Sequence, residues 1–313
     1  MKLNQQIKIK KNAYKQEFSC LKYIKKETVN SRFFFNKKSM SLKLCSTIGF
    51  SGRVQQGLVA HPDGRHIIYP LGSILVVMVK GKPTTQRFLS GHTSEITAVA
   101  VSRSGKFIAS GQYSSIDQES CIILWDFEKL EKLYEWPMHK DSVQCLTFSK
   151  TDKYLASLGG DDRIVIWDVF HGKGFTGQQA TIGSTGYCKS ISFSSTSDTV
   201  LVSGGDVNLR YWTIDEKNVK ITAENAKLDA VKRIITCLQM DDHDNYTYCG
   251  TTTGDVLKIA NNTMKLMCTG PRKMLGEGIA SLEVAPWGDV VVGSGCGVVA
   301  VLDSKNLSVL TST

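Results

Sequence analysis

The sequence predicts an all-β fold, a β-propeller built from six four-stranded blades. Three observations support this fold class. A unit of about 45 residues recurs along the chain, several strand segments are apolar on both faces, and the repeated region lacks the hydrophobic spacing of helices. A period of this length is typical of solenoids and propellers.

The repeat is clearest at three tryptophans. The string ILWD at 123–126 recurs as VIWD at 165–168 and, more loosely, as RYWT at 210–213, so the tryptophans stand 42 and 45 residues apart. His92 and His139 precede the first two of these strings and are separated by 47 residues. The first two copies therefore share a start and an end.

Second-strand segments extend the repeat in both directions. FIASGQ at 107–112 is followed by YLASLG at 154–159 and VLVSGG at 200–205, with a polar turn before each. Weaker copies stand upstream, as in HIIYPLG at 66–72, and downstream, as in DVVVGSGCGVVAVL at 289–302. Six copies are predicted between about residue 52 and residue 312.

Third-strand segments decide between a propeller and a two-layer sheet. CIILW at 121–125 and RIVIW at 163–167 are continuous apolar runs and not alternating ones. A strand that is apolar on both faces must be covered on both faces. Radially arranged blades meet this requirement, because each inner blade lies between two neighbours.

The positive charge of the chain is confined to its first 43 residues. Twelve basic and two acidic residues lie there, whereas the remaining residues carry a net charge of −1 out of the overall +9. We therefore expect a disordered basic extension at 1–43 and the propeller at 44–313. The propeller region has no charge excess that would predict nucleic-acid binding.

Nine cysteines without any Cys-x-x-Cys spacing predict free thiols, and not a zinc site or a disulfide framework. The sequence contains no apolar run long enough for a membrane span and no signal peptide. A soluble protein of the cytoplasm is the expectation, without membrane partners.

The Gly-His to Trp-Asp unit resembles the WD repeat. Further strings are similar to the N-terminal propeller of the cilia- and flagella-associated protein 52 family: IGFSGRV (48–54), HPDG (61–64), IIYPLG (67–72), SRSGKFIASGQ (102–112), LASLGGDD (155–162) and GTTTGDVLK (250–258). That resemblance implies two seven-bladed propellers in tandem, located in the lumen of axonemal doublet microtubules. The first 41 residues and everything beyond the sixth blade depart from the family pattern.

The WD resemblance also implies a structural hydrogen-bond relay in each well-formed blade. Its predicted members are His139, Ser157, Asp161 and Trp167 in blade three, His92, Ser110 and Trp125 in blade two, and Ser203, Asp206 and Trp212 in blade four. A buried imidazole, hydroxyl, carboxylate and indole each need a partner, and the relay would satisfy all of them.

The stretch SLGGDDRIVIWD at 157–168 carries adjacent carboxylates that an acid pair or a metal site would also use. Asp161 stands six positions before Trp167, the spacing that lets a hairpin turn direct its side chain across the blade. We expect Gly159, Gly160 and Asp161 to form that turn. Asp162 is expected to face solvent, so that its replacement by alanine would have little effect.

Other polar clusters favour turns over chemistry. DDHD at 241–244 falls between two strands, and GTTTGD at 250–255 lacks the lysine and the following helix of a phosphate loop. SSIDQES at 114–120 lengthens a hairpin and is either a docking loop or a tolerated insertion. Because nucleophile and metalloprotease motifs are absent from the sequence, we predict no enzymatic activity, catalytic residue, cofactor, metal or small-molecule substrate.

The first 43 residues and the closure of the ring leave alternatives open. The extension is a basic arm for acidic tubulin, a transit peptide, or a stretch outside the working protein; lysine outnumbers arginine 11 to 1, which disfavours a transit peptide. The last interpretation is preferred. The ring either closes with six blades or lacks a seventh, and LCSTIGF at 44–50 is predicted to latch it.

These patterns favour a non-catalytic scaffold of the ciliary or flagellar axoneme, within the cytoskeleton. By resemblance, it would be a microtubule inner protein that binds tubulin and neighbouring axonemal proteins and contributes to cilium motility. The alternative is a soluble adaptor, such as a ubiquitin-ligase substrate receptor or an actin-regulating propeller.

Overall fold

The computed structural model describes residues 52–115, 118–180 and 186–313. Strands and turns make up almost all of these residues, and the described segments include one short 3-10 turn at Pro83–Thr85 but no α-helix. None of their helical segments is long and apolar enough to cross a membrane. The predicted basic extension and the latching strand at 44–50 lie outside the described residues.

The strands form six antiparallel sheets, each with four strands in sequence order. Blade one contains β1 (Val59–Ala60), β2 (His66–Leu71), β3 (Ile74–Val79) and β4 (Arg87–Ser90). Blade two contains β5 (Ile96–Val101), β6 (Phe107–Gln112), β7 (Glu119–Asp126) and β8 (Glu131–Lys140). Blade three contains β9 (Val143–Phe148), β10 (Tyr154–Gly159), β11 (Arg163–Asp168) and β12 (Lys173–Gln179).

The second half of the chain repeats the same arrangement. Blade four contains β13 (Cys188–Phe193), β14 (Val200–Gly205), β15 (Asn208–Asp215) and β16 (Lys220–Asn225). Blade five contains β17 (Ile235–Met240), β18 (Tyr246–Thr251), β19 (Val256–Ala260) and β20 (Lys265–Gly270). Blade six contains β21 (Ile279–Val284), β22 (Val290–Ser294), β23 (Val299–Leu302) and β24 (Val309–Ser312). The predicted all-β class and the six blades are confirmed.

Five apolar cores fill the spaces between consecutive blades. Each repeat tryptophan packs against the preceding blade: Trp125 against blade one, Trp167 against blade two and Trp212 against blade three. Burying roughly 150 Å² of one tryptophan stabilises the fold by about 4 kcal/mol. The continuous apolar third strands are thus covered on both faces, as their sequence predicts.

The turn between the first two strands of a blade repeatedly uses a left-handed residue. The φ angle is 68° at Gly64, 76° at Gly105, 63° at Asp152, 55° at Asp244 and 97° at Gly288. Glycine and aspartate tolerate this conformation better than most residues. This backbone requirement explains why the two residue types alternate at one position of the repeat.

The segment just before blade one lies against the far end of the chain. The side-chain amide of Gln55 donates to the backbone oxygens of Thr236 (2.7 Å) and Ala280 (3.4 Å), which belong to the inner strands of blades five and six. Within the described residues, none of the five apolar cores joins blade six to blade one. The contact made by Gln55 therefore crosses the ring at a place where the described residues form no shared core.

Candidate functional site

Blade three brings the four predicted relay residues together. His139 Nδ1 lies 3.1 Å from Asp161 Oδ1, and its Nε2 lies 2.7 Å from Ser157 Oγ. The indole N–H of Trp167 donates to the same Ser157 oxygen at 2.9 Å. Because His139 is on β8, the outer strand of blade two, the relay ties blade two to the inner strands of blade three.

Two opposing effects set the protonation of Asp161. Burial disfavours the carboxylate, but hydrogen bonds from His139 and from the backbone amides of Lys140 and Arg163 outweigh it and hold the pKa of Asp161 below its ordinary value. Asp161 is 12% exposed and His139 is fully buried. Both ring nitrogens of His139 are engaged within the fold, so the geometry supports a structural role for the pair.

Blade two builds the same relay with a different fourth member. Ser110 Oγ lies 2.7 Å from His92 Nε2 and accepts the indole N–H of Trp125 at 2.8 Å. The place of the carboxylate is taken by Gln112, whose Oε1 lies 2.9 Å from His92 Nδ1. Burial lowers the pKa of His92 from its ordinary value. Nothing in the spacing of the sequence distinguishes Gln112 as a relay residue, because it follows the serine by two positions and not by four.

Blade four keeps part of the predicted relay. The indole N–H of Trp212 donates to Ser203 Oγ at 2.8 Å. Asp206 forms an isolated backbone bridge with Ile234 of blade five, and within the described residues no hydrogen bond joins its carboxylate to Ser203 or Trp212. The placement of Asp206 in the relay is therefore not supported. Arg210 instead stacks over the ring of Trp212 at 5.2 Å.

The expectation that Asp162 faces solvent is wrong. Asp162 is 2% exposed, and its Oδ1 accepts the backbone N–H of Cys188 at 2.9 Å. Its φ of 58° also shows that the left-handed residue of this turn is Asp162, and not one of the preceding three residues. The chain turns one residue later than predicted, so the second carboxylate points to blade four.

A row of aspartates links the turns on one face of the ring. Asp152, Asp198 and Asp244 are spaced 46 residues apart, and each accepts backbone N–H groups from the turn of the preceding blade. The shortest of these bonds join Thr151 N to Asp198 and Ser195 N to Asp244, both at 2.7 Å. The DDHD stretch is thus part of a turn, as predicted, and its last residue connects blade five to blade four.

The lengthened hairpin of blade two is anchored to blade three. Ser114 Oγ donates to Gln118 O at 2.7 Å, and Ser120 Oγ donates to Asp141 O at the same distance. Residues 116–117 lie outside the described residues. The described part of this insertion therefore belongs to the contact between two blades.

Cysteines add no reactive pair to these networks. The thiols of the described region are all free, and among them burial raises the pKa of Cys121 and Cys188 to about 12. Free thiols agree with the sequence prediction for the seven described cysteines. A thiol with a raised pKa is a poor nucleophile near neutral pH.

The central channel is lined by polar residues of the inner strands and by the segment before blade one. Its lining includes Gln55, Glu95, Thr97, Gln144 and Lys189. The relay histidines do not contribute to this lining, because they lie between blades. The channel and the relays are therefore separate parts of the molecule.

The sequence of residues 85–313 matches the family described as the echinoderm microtubule-associated protein first beta-propeller. The chain belongs to this family. A protein named Cilia- and flagella-associated protein 52 from Chlamydomonas reinhardtii is 40% identical over 264 residues, and the protein of that name from Homo sapiens is 37% identical over 267 residues. The resemblance drawn from the sequence strings is confirmed.

These alignments cover 83% and 84% of this chain but 42% and 43% of the two relatives. The chain thus spans about two fifths of the length of the curated relatives it matches. A solved structure titled "Structure of U3-55K" superposes with a TM-score of 0.65 at 19% sequence identity, covering 82% of this chain and 80% of that chain. At that level of identity the likeness shows the propeller fold alone.

Proposed function

We propose that this member of the echinoderm microtubule-associated protein propeller family is a non-catalytic scaffold of the ciliary or flagellar axoneme. It acts as a microtubule inner protein of doublet microtubules, binds tubulin and neighbouring axonemal proteins through its loops, and contributes to cilium motility. The single observation that carries this proposal is the identity of 36% to 40% with relatives named Cilia- and flagella-associated protein 52 over about 85% of the chain.

The contacts between blades support a scaffold role. Relays join blades two and three, the aspartate row joins successive turns, and every buried side-chain nitrogen or oxygen of the described residues has a hydrogen-bond partner. Such a frame holds its surface loops in fixed positions, which a component of a periodic assembly requires. The propeller family also suggests a non-enzymatic protein.

The engagement of the histidines supports the absence of catalysis. His139 and His92 each use both ring nitrogens in buried contacts, so neither can take a proton from a substrate without breaking the relay. This role for the histidines is structural, and we extend it to the proposal that the whole chain has no enzymatic activity.

Fractionation of cilia tests the location. The full chain carrying an epitope tag is expressed in ciliated cells, and isolated axonemes are treated first with mild detergent, then with salt, and finally under conditions that dissolve doublet microtubules. We expect the protein to leave with the tubulin of the doublets. A soluble adaptor would leave in the detergent fraction, and that outcome would reject the axonemal proposal.

A matched variant separates location from folding. Asp242 is exposed in the turn of blade five, so Asp242→Ala is expected to fractionate as the unmodified chain does. Trp167→Ala, which removes a side chain buried between two blades, should lose retention in proportion to its loss of fold. Retention of a demonstrably unfolded Trp167→Ala chain would show that the propeller does not carry the binding.

A further inference from the structure

We propose that His61, Asp63 and His66 form a binding site for a divalent transition-metal ion of the zinc type. The three residues lie in the turn between β1 and β2, and one ligand atom from each lies within 4.8 Å of the others. The sequence interpretation predicts no metal site, because no Cys-x-x-Cys or His-Glu-x-x-His pattern is present. The structure brings these three side chains together within six residues.

The distances fit a metal ion with little rearrangement. His61 Nδ1 lies 3.1 Å from Asp63 Oδ1, and His66 Nδ1 lies 2.6 Å from Asp63 Oδ2. Ligand atoms at about 2.0 Å from a tetrahedral zinc ion are roughly 3.3 Å apart. The first distance already agrees with this value, and the second requires a small rotation of the partly exposed His66 ring.

The tautomer of His61 is the one that a metal ligand requires. Its Nε2 lies 2.8 Å from the carbonyl oxygen of Gly105, which can accept a hydrogen bond but cannot donate one. The proton is therefore on Nε2, and Nδ1 carries the lone pair. The backbone N–H of Asp63 points at that lone pair from 3.2 Å. A histidine whose other nitrogen donates to a backbone carbonyl is the usual arrangement at metal sites.

Neighbouring groups fix the ligands in place. The ring of His61 stacks on Phe127 at 3.7 Å between centroids, with 18° between the planes. Asp63 Oδ1 accepts the backbone N–H groups of Arg65 at 2.8 Å and His66 at 3.0 Å. Asp63 and His66 are about 30% exposed, whereas His61 is 6% exposed. An ion can therefore enter from solvent and find two nitrogens and one oxygen already oriented.

A second turn of the same chain provides the matched control. Asp168 and His171 repeat the spacing of Asp63 and His66, with 2.8 Å between His171 Nδ1 and the carboxylate and the same backbone bonds to the other oxygen. Among the described residues, this turn belongs to no group of three possible ligands. Two ligands instead of three should bind a metal ion much more weakly, so the pair separates a metal site from a simple hydrogen-bonded turn.

Titration with zinc chloride tests the proposal. The full chain, freed of metal by a chelator and kept reduced, is titrated by calorimetry, and cobalt(II) is then used as a spectroscopic probe. We expect one equivalent to bind, visible cobalt absorption typical of tetrahedral coordination, and no thiolate-to-cobalt charge transfer. The His171→Ala variant should bind as the unmodified chain does. His66→Ala should bind at least about 10-fold more weakly.

Asp63→Asn keeps an oxygen that can accept the turn's N–H groups but removes the charge, so it preserves the fold if His66→Ala does not. It too should weaken binding at least about 10-fold, with an unchanged circular dichroism spectrum. The absence of binding to the unmodified chain, equal binding by the Asp63→Asn and His66→Ala variants, or equal loss in His171→Ala would each overturn the proposal.

Discussion

Replacement of Asp162 by alanine tests the corrected account of the turn at residues 159–162. This side chain is buried at the junction of blades three and four, and its Oδ1 accepts the backbone N–H of Cys188 at 2.9 Å. Cys188 is itself 1% exposed, so water cannot replace the lost acceptor easily. The variant leaves a buried donor without its partner.

Two terms set the magnitude of the loss. An orphaned buried N–H group costs about 1–3 kcal/mol. Alanine at a φ of 58° adds roughly 1 kcal/mol, since a side chain with no local hydrogen bond is disfavoured in the left-handed region. We therefore expect the free energy of unfolding to fall by about 2–4 kcal/mol. Asp162→Asn keeps an oxygen acceptor and tolerates the conformation, so it should lose less than half of that.

Urea denaturation followed by tryptophan fluorescence measures the global effect, and amide hydrogen exchange at Cys188 measures the local one. Exposed Asp242 is the control, because Asp242→Ala is expected to change stability by less than about 0.5 kcal/mol. If Asp162→Ala matched this control and left exchange at Cys188 unchanged, the assigned hydrogen bond would not contribute to the fold.

Three further predictions concern the other networks. Gln112→Glu places a carboxylate beside His92; the buried neutral ring contributes stability above about pH 6.5 that is lost as pH falls, and the variant should keep its melting temperature to lower pH, whereas an unchanged pH profile would contradict the contact. Ser157→Ala removes the acceptor of Trp167 and should cost about 1–3 kcal/mol in urea denaturation; a neutral effect would reject the relay. Asp244→Ala should accelerate amide exchange in the turn of blade four, and below the ordinary aspartate pKa, as pH approaches the lowered pKa of Asp244, the difference from the unmodified chain should vanish.

The blades could be predicted because their signals are local. The tryptophans at 42- and 45-residue spacing, the second-strand strings and the doubly apolar third strands each follow from one segment of sequence and the cover it needs. The relay of blade three was predicted for the same reason, since Ser157, Asp161 and Trp167 lie on one hairpin whose geometry their spacing determines.

Contacts between blades could not be predicted in this way. Asp162 was misplaced because a shift of one residue in the turn moves a side chain from solvent to the neighbouring blade. Gln112 was missed because its longer side chain reaches His92 from a different backbone position. Asp206 was included on spacing alone, although the turn around it uses its backbone to contact blade five. Each error concerns a partner about 20 or more residues away in sequence.

The aspartate row has a consequence for how such a chain changes in evolution. Blade three supplies both Asp152, which reaches back to blade two, and Thr151, which donates to Asp198 of blade four. Blade four likewise supplies Asp198 and the amide of Ser195 that Asp244 accepts. Each of these blades therefore carries both halves of the link. A duplication or deletion of one 46-residue unit in this region would bring matching halves together again, so the number of blades can change without a compensating mutation in this row.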